Sequence, residues 1–211
     1  MAASNTTTVV LPPLKIETMN VTLIGDTPLI VHRWSEKAKK QMLDKQMKKA
    51  SAGGKEAKDP ERDFRESLYV LEDGSYGFPI IGFKAAAVTA CTSIGSMTKV
   101  AARQAFHVDG EFAIIEGDEP KMREDMVRVG MGTADIRYRG EFKKWFTTIA
   151  VKYNANVMSA EQILNLMQTA GFAVGVGEWR PEKDGQFGRF HVATAKEMKV
   201  IGEMRDKKLA A

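Results

Sequence analysis

Residues 145–170 constrain the fold most. Trp145 to Tyr153 alternates, with Phe146, Thr148, Ala150 and Lys152 against Thr147, Ile149, Val151 and Tyr153, the period-two pattern of a strand. A few residues later the period changes. Ser159 with Gln162 three residues on forms a capping box. Ile163, Leu164, Leu166, Met167 and Ala170 then recur at helical spacing, and Gly171 is placed to stop the helix. So regular a strand beside so well marked a helix predicts an α+β chain.

The rest of the chain fits that class. Residues 1–13 are small and polar and end at Pro12-Pro13, so they predict a loose N-terminal arm. Residues 14–33 predict a strand interrupted at Gly25-Asp26-Thr27-Pro28. A helix over 35–50 starts at Ser35 and carries only a thin apolar stripe (Ala38, Met42, Met47), so it should lie on the surface or project. A polar loop at 51–58 leads to Asp59-Pro60, an N-cap followed by proline at the first helical position. Short strands follow at 69–71 and 76–80, then an apolar helix over 82–91 and a Thr98-capped helix to about Phe106. Further strands are expected at 112–115 and 126–129. After the 159–170 helix come a glycine-containing segment, a turn at 182–186, a final strand at 187–192 and a charged tail over 196–211. This gives one domain over 14–195 with a basic insertion at 35–66.

Composition excludes several classes. The chain has 211 residues and 44% hydrophobic residues, enough for a real core. The single cysteine, Cys91, sits in the small apolar run 85–91, where burial is expected, and it rules out an intrachain disulfide. No signal-like or membrane-spanning stretch is visible, so a cytoplasmic protein without membrane contact is expected. His32, His107 and His191 are far apart and no CxxC or HExxH spacing occurs, so neither metal nor cofactor is expected. No catalytic residue is assigned; a nuclease would have to use a histidine such as His32 as general base. Gly175-Val176-Gly177 is followed by Glu178-Trp179-Arg180-Pro181 rather than a phosphate-loop lysine. Those glycines allow close backbone approach, to a neighbouring helix or to a nucleic-acid backbone.

Charge placement is more informative than the net +4. Eight lysines face three acids over 36–58, and cations stand beside rings in Arg137-Tyr138-Arg139, Lys143-Lys144-Trp145, Trp179-Arg180 and Phe187-Gly188-Arg189-Phe190. Single-strand binders need cations for phosphates and rings for stacking. The competing reading makes the rings core and the cations a solvated face. The candidate nucleic-acid-binding residues are Lys37, Lys39, Lys40, Lys45, Lys48 and Lys49 in the insertion, Lys99 and Arg103 on the Thr98 helix, Arg137, Arg139, Lys143, Lys144 and Trp145, and Trp179, Arg180 and Arg189 near the C-terminus. The expected partner is single-stranded DNA or RNA, bound by a homo-oligomer or filament. The alternative is a phage-type protein–protein module, a virion component or an inhibitor of a host complex.

Phe78-Pro79-Ile80-Ile81-Gly82-Phe83-Lys84 is similar to the proline, small residues and helix that open a helix in the RAMP superfamily. The helix 159–170, Gly171, Gly175-Val176-Gly177 and Phe187-Gly188-Arg189-Phe190 resemble that superfamily's final helix, glycine-rich loop and strand. The superfamily supplies backbone and processing subunits of CRISPR effector complexes. The resemblance covers about half the chain. It implies a ferredoxin-like or RRM-like antiparallel sheet with helices on one face, and polymerisation along single-stranded nucleic acid. Glu178 departs from the pattern by placing a carboxylate where phosphate would approach.

Overall fold

The alternating run near residue 150 finds its partner near the beginning of the chain. A computed structural model describes residues 12–48, 57–95, 97–129 and 132–209. In it Ile16–Gly25 (β1) pairs antiparallel with Trp145–Asn154 (β10), from Ile16 opposite Asn154 to Ile24 opposite Phe146. Phe106–Val108 (β5) and Glu116–Gly117 (β7) join β10, and Phe190–Val192 (β11) joins the other side of β1. A second sheet has Leu29–Val31 (β2), Lys121–Val129 (β8) and Thr133–Phe142 (β9) in the order β2-β9-β8. A third consists of Tyr69–Val70 (β3), Tyr76–Pro79 (β4) and Phe112–Ile114 (β6). The helices are Glu36–Gln46 (α1), Pro60–Ser67 (α2), Ile81–Ile94 (α3), Lys99–Ala105 (α4), Ala160–Ala173 (α5) and Ala195–Leu209 (α6). The fold is α+β, with 38% of the described residues helical and 31% in strands.

Alternation decides the layers. Val21 and Leu23 of β1 and Ile149, Val151 and Tyr153 of β10 are buried on one face of the main sheet. They share a core with Phe83, Ala87 and Cys91 of α3 and Ile163, Met167 and Ala170 of α5. Burying side chains of the Leu, Ile or Phe kind contributes about 1.5–3 kcal/mol each, so this dry layer dominates cohesion. The other face presents Thr22, Thr148 and Phe146. The Thr22 and Thr148 hydroxyls lie 2.9 Å apart across the strands.

Four expectations change in contact with the structure. Residues 14–33 are two strands in two sheets, because the chain turns a corner at Gly25. The Trp145 indole occupies the space a Cβ there would need, 2.1 Å from it, and its N–H donates to the Thr27 carbonyl at 2.9 Å. Gly171 does not stop its helix: α5 continues to Ala173, and Gly171 is where the helix presses on β11. The basic stretch 121–144 is a long hairpin, of which the sequence suggested only 126–129. The tail over 196–211 is helical through Leu209. The Thr194 Oγ1 accepts from the Glu197 amide at 3.4 Å, and Glu197 accepts from the Thr194 amide at 2.8 Å, a second capping box. The arm at 1–11, the loop at 51–56 and Lys49 lie outside the described residues.

α6 meets the face opposite α3 and α5. Arg205 grips Glu116 and donates to Thr148 Oγ1 at 3.1 Å, and its guanidinium lies 5.7 Å from the Phe146 ring centre. At the near end His191 sits between Asp26 at 2.6 Å and Glu197 at 3.1 Å.

Two outcomes are expected. A Cβ at Gly171 would lie 1.9 Å from the Phe190 carbonyl oxygen, so Gly171→Ala should cost about 1–3 kcal/mol by overpacking, read as a lowered midpoint in thermal melts. Desolvation lowers the His191 pKa, but hydrogen bonds and charges from Asp26 and Glu197 outweigh it and the net shift is upward. That contribution is complete below the ordinary histidine value and is lost as pH rises through the raised one. After correction for intrinsic rates, amide exchange in 195–209 should therefore be slower at pH 6 than at pH 8.5, and His191→Gln should flatten the difference.

Candidate nucleic-acid interface

The segment after α5 folds back on the chain's own strands. Glu178 N–H donates to the Ile30 carbonyl at 2.9 Å, Gly188 N–H to Pro28 at 2.8 Å, and Val176 N–H to Gly188 at 2.9 Å. Gly177 needs to be glycine twice over. Its φ is +78°, and a Cβ would lie 2.5 Å from the Ile30 oxygen. The close approach serves a strand, β2, rather than a helix.

A cleft of about 380 Å³ opens between this loop and α3. Gly82, Ala85, Ala86 and Thr89 line it at helical spacing, so one face of α3 is made of short side chains. Val174 to Glu178 form the opposite wall, and His32, Tyr69, Phe78, Pro79, Arg180 and Glu182 complete the lining. The volume falls in the ordinary small-ligand range. Pro79 and Gly82 bring the start of α3 to the cleft, and that first turn has no acidic residue and no side-chain cap. Its amides therefore lend partial positive charge there. His32 keeps an exposed edge, yet the surrounding walls desolvate its ring. That burial first, and the Arg139 charge second, hold its pKa below the usual histidine value.

Behind the loop lies a charged ladder on one face of the β8–β9 hairpin. Arg123 pairs with Asp125 at 2.9 Å and Glu141 at 3.0 Å, and Arg139 pairs with Asp125 at 3.2 Å and Glu178 at 3.4 Å. The Trp179 indole N–H donates to Asp125 at 3.3 Å, and the Phe187 ring centre lies 4.6 Å from the Arg123 guanidinium. The Glu178 carboxylate thus turns to Arg139.

The sequence-selected residues scatter. Arg139, Trp179 and Arg180 come together around the loop, but Arg139 is only 5% exposed and committed to its ion pairs. Arg180 braces the loop, donating to the Gly177 carbonyl and to Glu182. Arg137 pairs with Asp135. Trp145 is 2% exposed, a core ring with no face for a base. Arg189 is half-buried, and its backbone amide donates to Thr27 Oγ1 at 3.0 Å. Lys143 and Lys144 are exposed where β9 turns into β10. Lys99 and Arg103 are exposed on α4. On α1, Lys39 pairs with Glu36, while Lys40 and Lys45, with Lys48 just beyond, are exposed; the side chain of Lys37 lies outside the described set. Sequence reasoning passed over Arg123, Asp125, Tyr69 and the wall of α3. The ladder had a signal: Arg123-x-Asp125 and Asp135-x-Arg137-x-Arg139-x-Glu141 alternate charge at the strand period.

Removing Arg139 would leave Asp125, itself 8% exposed, with only Arg123 and the Trp179 indole as partners. Arg139→Ala should therefore destabilise by about 2 kcal/mol, the scale of a lost charged hydrogen bond, measured by urea denaturation. Arg137→Ala, at a half-exposed pair, should cost well under half as much.

No family model and no curated protein matches the sequence. Solved structures do. The chain is similar to one in "Cryo-EM structure of the Type III-B Cmr-beta bound to cognate target RNA", at 9% identity and TM-score 0.54, over 85% of this chain and 60% of that one. It also matches "Crystal structure of Cmr6 from Pyrococcus furiosus" at 10% identity and TM-score 0.46, over 86% of this chain and 100% of that one. The fold of this chain is similar to that of the matched Type III-B Cmr-beta chain. The chain spans 60% of the length of the Cmr-beta chain.

Proposed function

We propose that this protein binds single-stranded nucleic acid, RNA in preference to DNA, and associates with further copies of itself along the strand. The observation that carries the reading is the RAMP-like fold, matched in a complex described as bound to cognate target RNA. The cleft supports it: an apolar wall of small side chains suits a base, while the uncapped α3 amides suit phosphate. Lys143 and Lys144 supply exposed charge for the backbone.

Fluorescence anisotropy with labelled single-stranded RNA, single-stranded DNA and duplex, each across a salt series, tests this. RNA should bind tightest, and affinity should fall steeply with salt because each phosphate contact on a single strand contributes about 0.7 to the log–log slope. Ala85→Phe puts a ring into the cleft from an exposed helical position without changing charge, and should weaken RNA binding about tenfold or more, on the scale of one lost stacking contact. The pair Lys143→Glu and Lys144→Glu should reduce the salt slope by roughly 1.4, about 0.7 per lysine. Absence of binding at low salt would overturn the proposal and turn the search to protein partners.

A nuclease reading has one observation in its favour. His32 lines the cleft, and its lowered pKa keeps the ring neutral and able to accept a proton at neutral pH. RNA cleavage that persists undiminished in His32→Ala would remove His32 from that role.

A further inference from the structure

The β8 strand is paired with β9 on one side, and on the other it pairs with no strand among the described residues. Its nine residues contain no proline, and the register with β9 runs without a break from Lys121 opposite Glu141 to Val129 opposite Thr133. A long straight edge of this kind presents a row of unpaired backbone groups to any strand that can match it. One face of the hairpin is closed off by Trp179 and Phe187 over the charged ladder. The opposite face carries Met122, Glu124, Met126 and Arg128, with Ile136 directly across from Met126. Met126 is 67% exposed, and Met122 and Ile136 are exposed beside it.

We propose that β8 pairs antiparallel with β8 of a second copy of this chain, about a two-fold axis at Met126. The charges favour a second copy as occupant and disfavour the registers on one side of Met126. With the axis at Met126, Glu124 of each copy stands opposite Arg128 of the other, and the two Met126 side chains meet at the centre. Moving the axis to Glu124 sets Glu124 against Glu124, and moving it to Asp125 sets Asp125 against Asp125. Like charges directly opposite are destabilising and unlike charges stabilising. With the axis at Met126 the strand is therefore complementary to itself, as an isologous contact must be. Ile136 then extends the central pair on both sides into one apolar ridge across four strands. The contact pairs two copies and, because it is two-fold, closes at a dimer; extension along a strand would need a second surface.

Analytical ultracentrifugation of the full chain without nucleic acid, up to about 100 µM where a modest affinity still registers, tests the contact. Its failure leaves strand binding to be judged by anisotropy. Wild type should dimerise. Glu124→Arg alone and Arg128→Glu alone each create two repulsive pairs and should weaken dimerisation about tenfold or more. The double variant restores complementarity and should dimerise like wild type, and the two single variants mixed should form a heterodimer. Met126→Cys should form an intermolecular disulfide on mild oxidation, which Cys91 does not confuse because it is buried. A monomeric wild type, a dimer indifferent to the charge swaps, or no disulfide from Met126→Cys would each overturn the proposal.

Discussion

The pairing of β1 with β10 is the constraint on which the rest of the structure depends. It joins residues 16–24 to 146–154 in one unbroken antiparallel register. That register fixes which side chains face inward, because a slip by one residue would exchange the buried Ile149 and Val151 for Thr148 and Ala150. The inward set gives α3 and α5 a surface to pack on, and α3 in turn places Gly82, Ala85 and Ala86 along the cleft. The other face, richer in hydroxyls, is left to Arg205 and α6.

What could be read in the sequence followed from how local each signal was. The β10 alternation, the caps at Asp59, Thr98 and Ser159, and the burial of Cys91 depend on neighbours along the chain, and all are present. Thr194-x-x-Glu197 was equally local, but the charged residues around it read as a tail. Gly171 was misjudged because its role is set by the Phe190 carbonyl, nineteen positions away in sequence and in contact only after folding. The β9 strand escaped because its inward-facing partners are charged: Asp135, Arg137, Arg139 and Glu141 satisfy one another and the β8 side chains instead of burying apolar surface.

Cations beside rings proved an ambiguous signal for the same reason. In Lys143-Lys144-Trp145 the lysines face solvent and the tryptophan fills the core, as strand alternation and a turn boundary dictate. Around Arg139 and Trp179 the partners are internal, so the composition of a binding surface is used to hold a loop down. The sequence pattern records that arginine and aromatic groups are near one another; whether a carboxylate already occupies the arginine is decided by tertiary structure alone. The α3 wall of the cleft is glycine, alanine and threonine, which leave little compositional signature.

The loop that walls the cleft is tied to the Pro28–Ile30 segment by the amides of Gly188 and Glu178. The loop and the segments it meets therefore come from distant parts of the sequence. Contacts of such large sequence separation close late, since the entropy of bringing distant segments together must be met first. On a ribosome, a chain that has emerged only through α4 has the α3 wall of the cleft and nothing to face it. The cleft can be complete only after residue 188 has been synthesised and docked, so an unfinished polypeptide lacks the recess.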